Sequence, residues 1–166
     1  MALVSRVGIN ISAQLTGAAG LVADLGALSE IFNTDLLSGV AANQADVLYS
    51  TQATILTAAT LSIDLKGGGL FDPFGVAINP VKLKALYIKS AVGNTTILTL
   101  LGTANAVPIL GTVATTMALL PGGVFLYTAP PLAGVAITAG TGDIIQIVNA
   151  AGASAVVNVI ILGTSA

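Results

Sequence analysis

Beyond residue 92 the chain is cut into short pieces by residues that turn it. Gly93-Asn94, Gly102, Pro108, Gly111, Pro121-Gly122-Gly123, Pro130-Pro131, Gly134, Gly140, Gly142, Gly152 and Gly163 leave no long uninterrupted stretch. Proline fixes φ and lacks a backbone donor, and glycine is costly inside a helix, so neither carries a helix forward. Turn signals roughly every eight to twelve residues, with β-branched and aromatic runs between them, predict an all-β sandwich or barrel.

The runs themselves name strands. Residues 81–91 and 95–101, joined by AVGN, read as a hairpin turning at Gly93-Asn94. Further strands are expected at 124–129, 135–138, 143–149 and 155–162, the last two joined by AAGAS. In the final strand Val157, Val159 and Ile161 share one face, and Val156, Asn158 and Ile160 the other. A strand apolar on both faces is central or covered by a second subunit, and Asn158 needs a hydrogen-bond partner if buried.

Earlier, 45–52 reads as a short strand and 54–65 as one strand, with Leu61, Ile63 and Leu65 opposed to Ser62 and Asp64; Gly67-Gly68-Gly69 ends it in a flexible loop. Near the start Val7, Ile9 and Ile11 alternate with Gly8, Asn10 and Ser12, a strand that pairs at home or reaches a neighbour. Leu21, Leu25, Leu28 and Phe32 fall at helical spacing, but Gly20 and Gly26 weaken it, leaving a short helix or an irregular arm. The expectation is an antiparallel β-sandwich of roughly eight to ten short strands. Residues 1–34 form an N-terminal arm with a strand and a possible short helix, and 35–166 the sandwich domain.

Charge is nearly absent. Only 12 of 166 residues are charged, and from Ser90 to Ala166 the one charged side chain is Asp143. The 38 Thr, Ser, Asn and Gln residues cannot cover the rest, because 91 residues are apolar. Large exposed apolar patches mark contact sites, so an oligomer or assembly subunit is the leading inference. Five basic residues in a chain of net charge −2 argue against nucleic acid. Lys82, Lys84 and Lys89 read as a solvated strand face. A mean hydropathy of +0.97 raises the question of a membrane. The longest apolar region is interrupted by Pro108, Gly111, Thr112, Thr115, Thr116 and Pro121-Gly122-Gly123, too often for a span of about 20 residues. Asn10, Ser12 and Gln14 likewise break any signal-peptide core, so a soluble chain without a targeting segment is expected.

Candidate chemistry is sparse. With no His and no Cys, the commonest acid–base group, thiolate nucleophiles and Cys-type zinc sites are missing. The seven carboxylates are Asp24, Glu30, Asp35, Asp46, Asp64, Asp72 and Asp143, and nothing in their spacing pairs two of them. Gly67-Gly68-Gly69 lacks the Lys-Ser or Lys-Thr of a phosphate loop. Asp143 is expected to cap the TAGTGD turn and Asp72 to open a turn before Pro73. No catalytic, cofactor or metal residues are nominated, and a non-enzymatic role is expected.

Four stretches in order resemble small virion structural proteins of tailed bacteriophages: DLLSGVAANQADVLYSTQATI, VKLKALYIKSAVGNTTILTLLG, LLPGGVFLYTAP and TAGTGDIIQIVNAAGASAVVNVIILGTSA. The resemblance covers residue 35 to the C-terminus and lies in turn order and texture. It implies a jelly-roll-like sandwich acting as a capsid decoration, or cement, protein: a homo-oligomer, trimer or dimer, bound to the major capsid protein or another virion component. It also implies a location in the virion after assembly in the host cytoplasm, without nucleic acid, membrane or cofactor. The N-terminal arm is expected to clamp a neighbouring subunit. A tail, fibre or spike-base sandwich is the alternative; a carbohydrate-binding module comes third.

Overall fold

In the computed structural model, which describes residues 2–16, 25–112, 114–131, 133–150 and 152–166, every regular element is a β-strand. Twelve occur among those residues: β1 (Ser5–Thr16), β2 (Leu25–Ser38), β3 (Gln44–Ala45), β4 (Val47–Ile55), β5 (Ala59–Asp64), β6 (Lys82–Ser90), β7 (Leu98–Leu101), β8 (Thr116–Leu119), β9 (Val124–Thr128), β10 (Val135–Ala136), β11 (Ile144–Asn149) and β12 (Ala155–Thr164).

Two antiparallel sheets pack on each other. The first runs β4-β12-β6, with β9 and β10 along the far edge of β6; the second runs β5-β11-β7-β8. Val157, Val159 and Ile161 of β12, with Leu86 and Ile88 of β6, meet Ile63, Leu98, Leu100, Ile145 and Ile147 of the second sheet in one core. All are buried. Each such side chain contributes about 1.5–3 kcal/mol of burial, so this interior is what holds the two sheets together. The strand expected to be central is central: β12 pairs β4 on one side and β6 on the other. Its opposite face, with Asn158 and Ile160, points away from that core, and Gln52 Nε2 donates to Asn158 Oδ1 at 2.9 Å.

Several expectations are corrected. The AVGN link is not a hairpin: β6 lies in the first sheet and β7 in the second. Residues 54–65 are not one strand either, because Ala58 at φ 56° turns the chain between β4 and β5, again from sheet to sheet. Where a helix or irregular arm was considered over 21–32, residues 25–32 belong to β2, hydrogen-bonded in register with β1; residues 21–24 lie outside the described residues. Pairing with a second strand satisfies that backbone better than a glycine-broken helix does.

Lys84 is also not solvated. The register between β6 and β12 slips by one residue at Leu162/Gly163, which face Ala85 and Leu83 and leave Lys84 as the extra residue of a bulge. A bulge re-aims its side chain. Lys84 is fully buried, and its Nζ donates to the carbonyl of Pro131. Burial pushes the ammonium below its usual pKa, and the charge of Lys82 adds to that.

A third sheet, β1-β2-β3, is built on a long ribbon. β1 and β2 pair from Ser5↔Leu36 out to Thr16↔Leu25, and β3 joins only at Leu37–Ser38. Its root is fixed by a small cluster in which Leu36, Ala45, Ala85 and Leu162 are packed by Leu3, Val7 and Leu48. Across the strands of the root, Arg6 Nε bonds Asp35 Oδ1 at 2.5 Å and Arg6 Nη2 bonds Oδ2 at 3.2 Å. That hydrogen bond holds the Asp35 carboxyl below the usual carboxylate range.

Candidate interaction surfaces

The ribbon leaves the body at Gly8 and Asn33. From there outward every described side chain is exposed, on both faces. The faces differ in chemistry. Register places Ile9 opposite Phe32 and Ile11 opposite Glu30, so these four share one face, continuing from Val7. Asn10, Ser12, Ser29 and Asn33 lie on the other, with Ile31 as its apolar exception. Ile9 is 41%, Ile11 57% and Phe32 43% exposed. An isolated two-stranded ribbon is marginal in water at best, and both long edges of this one are open beyond the root.

The apolar face of the ribbon root and the outer face of the first sheet enclose a groove of about 610 Å³. Its walls are Val7 and Ile9 on the ribbon side and Ala85, Tyr87, Leu126, Ile160 and Leu162 on the sheet side. Tyr87 and Ile160 carry it into a second depression of about 510 Å³ beside Gln52, Lys89 and Asn158. Alternation in β4, β6, β9 and β12 makes this face largely apolar and amide-bearing, with Lys89 beside the second depression and Arg6 of the ribbon root at the edge of the first.

A further apolar surface closes one end of the sandwich, where four loops meet. Gly122 N donates to Ala91 O at 3.2 Å, and Ala91 N donates to Val156 O at 3.0 Å. Thr57 Oγ1 donates to Gly152 O. Asn149 Nδ2 donates to Ile55 O at 3.1 Å, Leu56 O at 3.2 Å and Ala153 O at 2.9 Å. These bonds tie residues 56–58, 91–97, 120–123, 150 and 152–154 into one end, and none of them is charged. Leu56, Val92, Ile97 and Leu120 project from it, Val92 at 78% exposure. Sequence reading missed this end because its parts are up to about a hundred residues apart.

The carboxylates do local structural work. Asp143 Oδ2 accepts from Gly140 N at 2.7 Å, and Asp72 Oδ1 accepts from Phe74 N at 2.9 Å and Val76 N at 2.8 Å, the turns expected of them. Asp64 Oδ1 accepts from Lys66 N and Gly67 N, which orders the start of the glycine loop. Asp46 holds Ser165 through Oδ1 at 2.8 Å. Asp24 lies outside the described residues. Among the described residues no group of three metal-ligating side chains converges, and no helix is long and apolar enough to cross a membrane.

No family model, curated protein or solved structure matches the chain.

Proposed function

We propose that this chain is a structural subunit of a bacteriophage virion, a decoration or cement protein that binds the capsid lattice as a homo-oligomer. The observation that carries the assembly part is the ribbon: a long, open-edged, amphipathic hairpin whose apolar face its own body leaves uncovered. Such a face is stable only against another protein.

The virion part is supported by the four sequence stretches and by a finer reading of the fold as a jelly roll. In chain order, β4 to β9 with β11 and β12 fill two sheets ordered β4-β12-β6-β9 and β5-β11-β7-β8, with connections that pass between sheets at every step but β7–β8. That double-Greek-key order recurs in viral capsid domains and in lectins. Under this reading the uncharged loop end faces the lattice, where many modest apolar contacts act together. The partner is the major capsid protein or another virion component, and the location is the mature particle.

Antibody raised against the purified protein tests this on phage particles viewed by electron microscopy. Label on the outer surface of heads is the expected result; particles without label overturn the reading. The open ribbon edges also suit strand addition in a fibre or spike base, and label confined to tails would carry that alternative.

A further inference from the structure

We propose that the groove on the outer face of the first sheet is occupied by the distal ribbon of a second copy of this chain, in a register set by Glu30 against Lys89. The inference rests on the homo-oligomer part of the reading above and names the surfaces that form it.

The area points to a second copy first. The chain exposes 8879 Å², about 1,400 Å² more than the roughly 7,500 Å² expected of a compact monomer of this mass. A stable interface covers about 800 Å² on each partner, so the excess is of the right order for one such contact. Both halves of the contact are present in the chain. The ribbon offers Ile11 and Phe32, uncovered by its own body. The groove offers Tyr87, Leu126 and Ile160, and its wall already includes Val7 and Ile9 of the same ribbon face. A neighbour's ribbon seated there extends apolar packing that the root has begun.

Charge then selects the register. Beyond the Arg6–Asp35 pair, Glu30 is the single charged residue among the described residues of the ribbon, and it lies on the apolar face. Lys89 stands at the far end of the groove, beside the second depression, while Arg6, which lines the near end, is already paired with Asp35. The one ion pair among the described residues is Arg6–Asp35, and among those residues neither Glu30 nor Lys89 is engaged in such a pair. With Arg6 and Asp35 neutralising each other, opposite charges at Glu30 and Lys89 favour one alignment and penalise like-charge placements.

The test is light scattering coupled to size exclusion on wild type, Glu30→Lys, Lys89→Glu and the combined variant, with thermal melts to confirm that each is folded. Wild type is expected to be oligomeric at micromolar concentration. Each single reversal should raise the dissociation constant about tenfold or more, and the combined reversal should restore association to near wild type. Singles that associate like wild type, or a combined variant no better than either single, overturn the inference. A wild type that stays monomeric overturns it as well. Particle labelling is read separately: labelled heads with an oligomer indifferent to these charges would sink the ribbon contact and leave the decoration reading standing.

Discussion

Asn94 grips Val156 with both ends of its amide: Val156 N donates to Asn94 Oδ1 at 2.8 Å, and Asn94 Nδ2 donates to Val156 O at 2.8 Å. A side chain thereby pairs with β12 as a neighbouring strand would, where the chain leaves β6 for the second sheet. Asn94 Nδ2 also donates to Ser90 Oγ at 2.8 Å, which holds the exit from β6 in place. The contact spans 62 residues of sequence and ties the loop between β6 and β7 to the start of the last strand.

Replacing this amide should be costly out of proportion to its size. Asn94→Ala leaves the Val156 N–H without its partner in a nearly closed site, and such a loss costs about 1–3 kcal/mol. For a chain of this length that corresponds to a fall of roughly 3–10 °C in the melting midpoint. Asn94→Asp keeps the acceptor and loses the donors, so it should fall between the two. Urea titration with unchanged slope would confirm a loss of stability rather than a change of compactness.

Lys84 predicts a pH dependence of the same sign as the usual carboxylate case, and opposite to that of a lysine that gains an anionic partner on folding. Its folded pKa lies below the ordinary 10.5. Between those two values the unfolded chain binds the extra proton, so stability rises with pH through that window. Below the folded value the cost of the buried charge is present in full. Lys84→Met removes the titration, and its melting midpoint should lack the rise toward pH 10 that wild type shows. Equal slopes for both proteins in that range would refute the assignment.

Gly152 is held where a side chain does not fit. Its φ is +94°, and a Cβ built there would stand 2.4 Å from Thr96 Cγ2. Gly152→Ala therefore strains both the backbone and the packing of two loops, a cost of about 1–3 kcal/mol. Because Thr57 Oγ1 bonds the Gly152 carbonyl, the amides after β4 should lose protection from hydrogen exchange together with those before β12.

The strands were legible in the sequence wherever alternation and turn spacing act locally. Val157, Val159 and Ile161 announced a core face, and Asp72 and Asp143 announced their turns. Partner choice was not legible. Gly93-Asn94 carries the signature of a hairpin, yet Asn94 spends its amide on Val156, and the chain crosses to the other sheet. Lys84 looked solvated because the bulge opposite Leu162 and Gly163 is a property of two paired strands, invisible in either alone. The leucine spacing over 21–32 fits a helix, but pairing with β1 decides the conformation of residues 25–32. The surfaces followed the same rule. The excess of apolar residues foretold an interface, and only the topology gathered Leu56, Val92, Ile97 and Leu120 at one end.

That end gives the last prediction. Val92 and Leu120 project from loops whose backbones are fixed by the Ala91, Gly122 and Val156 bonds, and neither side chain belongs to the core. The combined change Val92→Asp and Leu120→Asp should leave the melting midpoint within about 2 °C of wild type, since exposed substitutions away from special features shift stability by only about 0.5 kcal/mol each. It should also leave the oligomer intact, because neither side chain lines the groove or the depression beside it. Capsid binding should respond differently. Two carboxylates buried in an apolar contact meet a desolvation cost, and these loops carry no cation of their own to offset it. Purified variant mixed with particles stripped of the protein should fail to co-sediment where wild type does. A variant that binds normally would move the capsid contact away from this end of the sandwich.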